Sequence, residues 1–189
     1  MSKIIISEEL IIKTAALLAD QRGLENVSLK MIAETLNMKS PSLYNHISSL
    51  EDIKEKLMIY GWKEMETLMI ESAVGVSGYE ALKAISYAFF DYATTRQGVF
   101  SAMLYYNKYK NEQTQRATTK LFDIVFKIMK PLPMSEDNIN HIIRTLRSFL
   151  QGYALLVNNH AFGNPLDIKE SFDLSLDIIM NGIKTLEGK

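Results

Sequence analysis

The sequence predicts an all-α chain of about nine helices: a three-helix N-terminal domain over residues 6–66, then a helical bundle over residues 67–189. Apolar residues recur with the 3.6-residue period of a helix along nearly the whole chain, and no stretch alternates convincingly as a strand does. Cap residues and breakers cut that pattern into segments of ordinary helix length. The clearest break, Val74-Gly75-Val76-Ser77-Gly78, falls after the fourth segment and reads as a turn or a hinge.

Ser7 caps the first helix, with Glu8 and Glu9 in its electropositive first turn and Gly23 to end it. Ile11, Ala15 and Leu18 form its inward stripe. Ser28 caps a second, short helix through Leu36, with Leu29, Ile32, Ala33 and Leu36 inward. Asn37-Met38-Lys39 follows as a turn, because Asn tolerates the left-handed conformation that ends helices. Ser40-Pro41 restarts the chain, serine as cap and proline at the first helical position, where no amide donor is needed. This third helix runs to about His46, and Leu43 and Ile47 reach the core. Ser49-Leu50-Glu51-Asp52 opens a fourth helix from Leu50 to about Glu71, with Ile53, Leu57, Tyr60, Gly61, Met65 and Leu68 on its stripe. Helices over 79–96, 99–104 and 110–129 follow, the last ended by Pro131 and Pro133. Ser135 caps a helix to about Asn159, Asn164-Pro165 turns the chain, and Asp167-Ile168-Lys169-Glu170 is a capping box for the final helix.

The final helix carries one stripe, Phe172, Leu176, Ile179, Ile183 and Leu186. Its predecessor carries two: Ile139, Ile142, Leu146, Phe149, Tyr153 and Leu156, and beside them Ile143, Leu150, Ala154 and Val157. A helix apolar on more than one face has to be covered on more than one side. Burial within one chain meets that need; a four-helix interface with a second copy also meets it and is the preferred reading. It places Ile143, Leu146, Leu150, Val157, Phe172, Leu176, Ile179 and Ile183 at a homodimer interface.

Composition removes several classes of function. Zero cysteines exclude a disulfide framework, a thiolate metal site and a cysteine nucleophile. The histidines His46, His141 and His160 are scattered without metal-ligand spacing, and there is no nucleophile elbow, P-loop or dinucleotide fingerprint. No catalytic residue, metal or cofactor is therefore expected. The first residues are too short an apolar run for a signal peptide, and no run approaches a membrane span, which places the chain in the cytoplasm. A net charge of −1 argues against a general polyanion binder but leaves room for a positive charge confined to one surface.

Helix, turn and short helix within Ser28 to Ile47 is the spacing of a helix-turn-helix, whose second helix presents its N-terminal residues to base edges in the major groove. Here that helix offers Ser40, Pro41, Ser42, Tyr44, Asn45 and His46, all small or hydrogen-bonding and none acidic, with Lys30 and Lys39 flanking. Hydroxyls, amides and tyrosine can reach phosphates and base edges, and proline can pack on a thymine methyl.

Ile32-Ala33, Asn37-Met38, Pro41-Ser42-Leu43-Tyr44-Asn45-His46-Ile47 and Leu50-Glu51-Asp52-Ile53 resemble the DNA-binding domain of the TetR family of bacterial transcriptional regulators, over about residues 6–66. The second half resembles the WHG type of TetR C-terminal domain through Gln97-Gly98-Val99-Phe100, Leu146 to Gly152 and Ala161 to Phe172. The resemblance implies a homodimer on a near-palindromic double-stranded operator. Ser28 and Lys30 would meet phosphate, and Ser40, Pro41 and Ser42 bases. Tyr44, Asn45 and His46 would divide between bases and backbone. Leu50 stands where many relatives carry a phosphate-facing lysine, so Lys54 and Lys56 are the candidate substitutes. Gln151 stands where the subfamily often has histidine, and that histidine's role is not carried over. The resemblance also implies an effector cavity among the later helices, here lined by Phe90, Phe100, Met103, Phe126, Phe149 and Tyr153, which suits an apolar or aromatic small molecule. Its mechanism would be repression relieved by ligand, with the fourth helix as lever.

Charge limits this reading. From Met1 to Trp62 the chain has seven basic residues (Lys3, Lys13, Arg22, Lys30, Lys39, Lys54, Lys56) and eight acidic ones (Glu8, Glu9, Asp20, Glu25, Glu34, Glu51, Asp52, Glu55). Few cationic phosphate contacts per copy means weak nonspecific affinity. The competing expectation is a helical small-molecule carrier or interaction protein whose DNA module no longer functions.

Overall fold

A computed structural model describes residues 6–109 and 111–188, and among these every regular element is helical. The helices are α1 (Glu8–Arg22), α2 (Leu29–Thr35), α3 (Ser40–Leu43), α4 (Leu50–Ser72), α5 (Gly78–Thr95), α6 (Gln97–Met103), α7 (Glu112–Met129), α8 (Glu136–Asn158) and α9 (Ile168–Lys184). A 3-10 turn, Leu24–Asn26, follows α1. Lys110, the expected start of the seventh helix, lies outside the described residues, as do the first five residues, which carry most of the stretch weighed as a signal peptide.

The caps act as their chemistry requires. Ser7 Oγ accepts from Leu10 N at 3.2 Å, Ser28 Oγ from Met31 N at 3.3 Å, Ser135 Oγ from Asn138 N at 3.3 Å and Asp167 Oδ1 from Glu170 N at 2.8 Å. Gly23 (φ 85°) and Asn37 (φ 52°) end α1 and α2 in the positive-φ region. Ser40 departs from expectation. Lys39 is the cap residue of α3, Ser40 and Pro41 are already helical, and no side chain caps that end.

The chain divides into two compact units that do not follow a single cut after residue 66. The first contains the chain up to Glu64 together with Arg96–Ala117; the second contains Met65–Thr95 and the chain from Thr118. The backbone leaves the first unit within α4.

In the first unit Ile11, Ala15, Ile32, Leu43, Ile53 and Leu57 are buried to within 1%. α6 lies on α1 at a spacing that only glycine permits: a Cβ at Gly98 would stand 2.1 Å from the Ala19 carbonyl carbon and oxygen. Asp20 fastens the same junction, its Oδ1 accepting from Gly98 N at 3.0 Å and Val99 N at 3.1 Å. Its Oδ2 accepts from Arg96 Nε at 2.6 Å, and Arg96 also donates to Glu64 Oε2 on α4 at 2.8 Å. Burial alone would lower the Arg96 pKa, but Asp20 and Glu64 outweigh it and hold the guanidinium charged.

In the second unit α5 and α9 both pack on α8. Phe172 is its centre, with no exposed surface. Phe90 stacks on it at 3.9 Å between ring centroids and Phe149 lies nearly parallel at 5.5 Å. Tyr153 and Tyr87 meet it edge-on at 5.3 and 5.8 Å. Much of the two stripes of α8 is covered within the chain: Ile139, Ile142, Ile143, Leu146, Leu150 and Ala154 are buried, while Phe149, Tyr153 and Val157 are half-buried and Leu156 is 45% exposed. Single-chain burial accounts for those six positions, and the uncovered part is what a second copy could still meet.

Candidate nucleic-acid interface

α2, the Asn37 turn and α3 form one continuous hydrogen-bonded corner. Met38 N reaches back to Ala33 O at 2.9 Å, and the turn after α3 continues with His46 N donating to Leu43 O at 2.9 Å and Ile47 N to the same oxygen at 3.1 Å. Leu43 and Ile47 are buried at 0% and 3% and pin the segment to the core of the first unit. That anchorage turns the intervening residues outward. Tyr44 is 58% exposed, a large aromatic left in water by a helix whose neighbouring leucine is fully buried. Lys39, Pro41 and Asn45 are exposed with it, while Ser40, Ser42 and His46 are half-buried. The surface is hydroxyl, amide and phenol with no carboxylate, which suits base edges and phosphates.

The other predicted contacts are placed less uniformly. Ser28 spends its oxygen as the cap acceptor of α2 and keeps its own O–H to donate. Lys30 is exposed and only loosely paired with Glu34, at 3.8 Å. Lys54 sits four-fifths covered with its ammonium 3.1 Å from Glu25, and Lys56 bridges Glu8 at 2.8 Å and Asp52 at 3.0 Å. These two lysines, expected to replace the cation missing at Leu50, are engaged inside the protein.

The start of α4 is held by a reciprocal cap: Ser49 Oγ accepts from Asp52 N at 3.0 Å and Asp52 Oδ2 from Ser48 N at 2.7 Å. Burial would raise the Asp52 carboxyl, but the Ser48 N–H and Lys56 outweigh it and hold it below the ordinary carboxylate value. A depressed carboxylate stabilises the fold above its unfolded pKa and loses that stabilisation as pH falls through the folded one. Thermal midpoints of the native protein should therefore drop more steeply below about pH 4 than those of Asp52→Asn. Parallel curves for the two would contradict this role.

Sequence reasoning missed the segment after α6. Tyr105 donates to Glu25 at 3.2 Å, Lys108 pairs with Glu51 at 2.5 Å, Tyr109 donates to Glu51, and Asn111 to Glu55. Lys108 and then Tyr109 hold the Glu51 carboxyl below its ordinary value. These pairs span more than 50 residues, and no periodicity signals them.

The predicted effector-lining residues separate. Phe90, Phe149 and Tyr153 come together in the second unit around Phe172, and Phe126 is half-buried on α7. Phe100 and Met103 lie buried in the first unit, where Met103 occupies the space beside Gly61. Of the predicted dimer residues, Ile143, Leu146, Leu150, Phe172, Leu176 and Ile183 are buried against their own chain, and Val157 and Ile179 are half-buried. The exposed large apolar residues of α8 and α9 are Leu156, Ile168, Leu174 and Ile178. Among the described residues no group of three His, Asp or Glu side chains could hold a metal, and no helix is long and apolar enough to cross a membrane.

Residues 11–57 match the family model described as bacterial regulatory proteins, tetR family, and residues 82–179 match the tetracyclin repressor-like C-terminal domain. An uncharacterised HTH-type transcriptional regulator, YobS of Bacillus subtilis (strain 168), is 30% identical over 179 residues, covering 94% of this chain and 93% of its own. Two solved structures share the fold. The TetR regulator SCO7222 of Streptomyces coelicolor has a TM-score of 0.73 at 17% identity, over 97% of this chain and all of its own. A TetR variant of Acinetobacter baumannii AYE, solved in complex with minocycline, scores 0.74 at 14% identity, over 98% of this chain and all of its own.

Proposed function

The chain belongs to the TetR family and is a DNA-binding transcriptional regulator, and on that premise we propose that it is a homodimeric repressor acting on the bacterial nucleoid. Each copy places Ser40, Pro41, Ser42, Tyr44, Asn45 and His46 in a major groove, and Ser28, Lys30 and Lys39 flank it on the backbone. The observation that carries this is the outward Tyr44 between buried Leu43 and Ile47. Two such helices about 34–36 Å apart read half-sites one helical turn apart, or a multiple of it. Selection of bound duplexes from a random pool should enrich near-palindromes with that spacing. Enrichment of a lone half-site, or of nothing, would contradict the proposal.

The dimer surface is the exposed side of α8 and α9 around Leu156, Leu174 and Ile178. Full burial of a leucine or isoleucine is worth about 1.5–3 kcal/mol, so Leu174→Asp with Ile178→Asp should give monomers in sedimentation velocity. A double variant that still sediments as a dimer would move the interface elsewhere.

The effector is an apolar or aromatic small molecule received by the second unit among Phe90, Phe126, Phe149 and Tyr153, with a C-terminal half of the WHG type. The minocycline complex of the Acinetobacter relative supports a ligand role for this kind of fold. A ligand relieves repression only by binding the DNA-incompetent arrangement more tightly than the competent one. The 23-residue α4, through which the chain passes between units, is the lever.

A further inference from the structure

The first unit reads DNA although its N-terminal 62 residues carry more acidic than basic side chains, and the two cations nearest α4's start in sequence, Lys54 and Lys56, are tied to carboxylates. Glu51 is half exposed in the first turn of α4. It is five residues beyond His46, at most about 18 Å of extended chain, which keeps this carboxylate within reach of a phosphate bordering the recognised groove.

The structure brings a cation from elsewhere to that place. The chain beyond α6 turns through a Lys108 N to Tyr105 O bond of 2.8 Å. Lys108 then lies over the Tyr105 ring at 5.8 Å and the Tyr109 ring at 5.6 Å. Its ammonium is 2.5 Å from Glu51, with 52% of the side chain still exposed. One feature separates this pair from Lys54–Glu25: Lys108 is far less covered, so its remaining N–H donors reach water. As Tyr105 does for Glu25, the Tyr109 hydroxyl donates to Glu51, so the carboxylate keeps a partner when the ammonium turns to another anion.

We propose that Lys108, delivered to the first turn of α4 between Tyr105 and Tyr109, contacts an operator phosphate and is a DNA-binding residue contributed from outside the helix-turn-helix. This rests on the DNA-reading assignment above.

The test is the salt dependence of binding to a duplex selected by the native protein, for the native protein, Lys108→Gln, Glu51→Gln and the double variant, each first confirmed as a folded dimer. Each lost phosphate contact lowers the log–log slope by about 0.9, or about 1.8 for two copies. Between 50 and 200 mM salt, Lys108→Gln should therefore lose affinity about tenfold less steeply than the native protein. The double variant should keep that shallower slope, and Glu51→Gln alone should bind more tightly with the native slope. If the double variant regains the native slope, Lys108 only neutralises Glu51 and the proposal is overturned; an unchanged slope in Lys108→Gln overturns it equally. A native protein that selects no duplex removes the DNA-reading assignment, and this inference with it.

Discussion

Phe172→Ala should lower the stability of the protein by about 4 kcal/mol. The residue has no exposed surface and four aromatic neighbours. Truncating a buried phenylalanine costs about 3–5 kcal/mol through lost transfer energy and the cavity left behind, with packed aromatic pairs contributing part of that loss. For a chain of this size the thermal midpoint should fall by about 10 °C, since 1 kcal/mol moves it about 2–4 °C. The same experiment separates the chain's own core from an interface. Because Phe172 is buried within one copy, the variant should remain dimeric while its midpoint drops. A variant that keeps its monomer stability but dissociates would return Phe172 to the interface the stripe pattern first suggested.

Gly98→Ala should be nearly as severe, for the opposite reason. Nothing is removed; a methyl group is forced to 2.1 Å from the Ala19 carbonyl and 2.5 Å from Asp20 N, and both obstacles are backbone. Side chains could rotate away, but a helix backbone cannot. α6 must lift from α1, and that separation pulls the Gly98 and Val99 amides off Asp20. Overpacking of this kind costs typically 1–3 kcal/mol, and the lost carboxylate bonds place it on the order of 3 kcal/mol. Ser101→Ala on the same helix is the control, with a change of about 0.5 kcal/mol or less. Equal midpoints for the two variants would mean that α1 and α6 are not clamped. Operator binding gives a second readout, because α1 and α6 belong to the unit that carries Tyr44.

Much of the fold was legible because helix ends are local chemistry. Ser7, Ser28, Ser49, Ser135 and Asp167 cap where they were expected to, and Asn37 takes the left-handed turn between α2 and α3. The outward placement of Tyr44 and Asn45 was legible for a similar reason: burying Leu43 and Ile47 on a short helical segment fixes which way they point. Ser40 failed as a cap because the helix began one residue earlier than proline alone suggests.

What covers an apolar face was not legible. The double stripe of α8 shows that two sides are buried, and periodicity says nothing about whether the covering helix comes from the same chain. Leu68 has the spacing of the α4 stripe yet is exposed, while Met58, Ile59, Trp62 and Met69 are buried off it, because α4 runs through both units and is covered from more than one side. The aromatic residues proposed for one cavity divided between two units for a similar reason: composition groups them, and only the tertiary fold sorts them. Lys108 beside Glu51 is a long-range pair on a turn without helical period, beyond the reach of any window along the sequence.

The proposed role of the outward α3 is to read a specific duplex. Its most direct test is fluorescence anisotropy of the selected operator against a scrambled duplex of the same length, for the native protein and for Tyr44→Ala. Tyr44 is exposed, so its removal should leave folding and dimerisation intact. Native binding should be saturable and resist the scrambled competitor, and Tyr44→Ala should bind at least about tenfold more weakly, the loss of roughly one good base or backbone contact per copy. Native binding that scrambled DNA displaces equally well, or a Tyr44→Ala variant with unchanged affinity and selectivity, would contradict it.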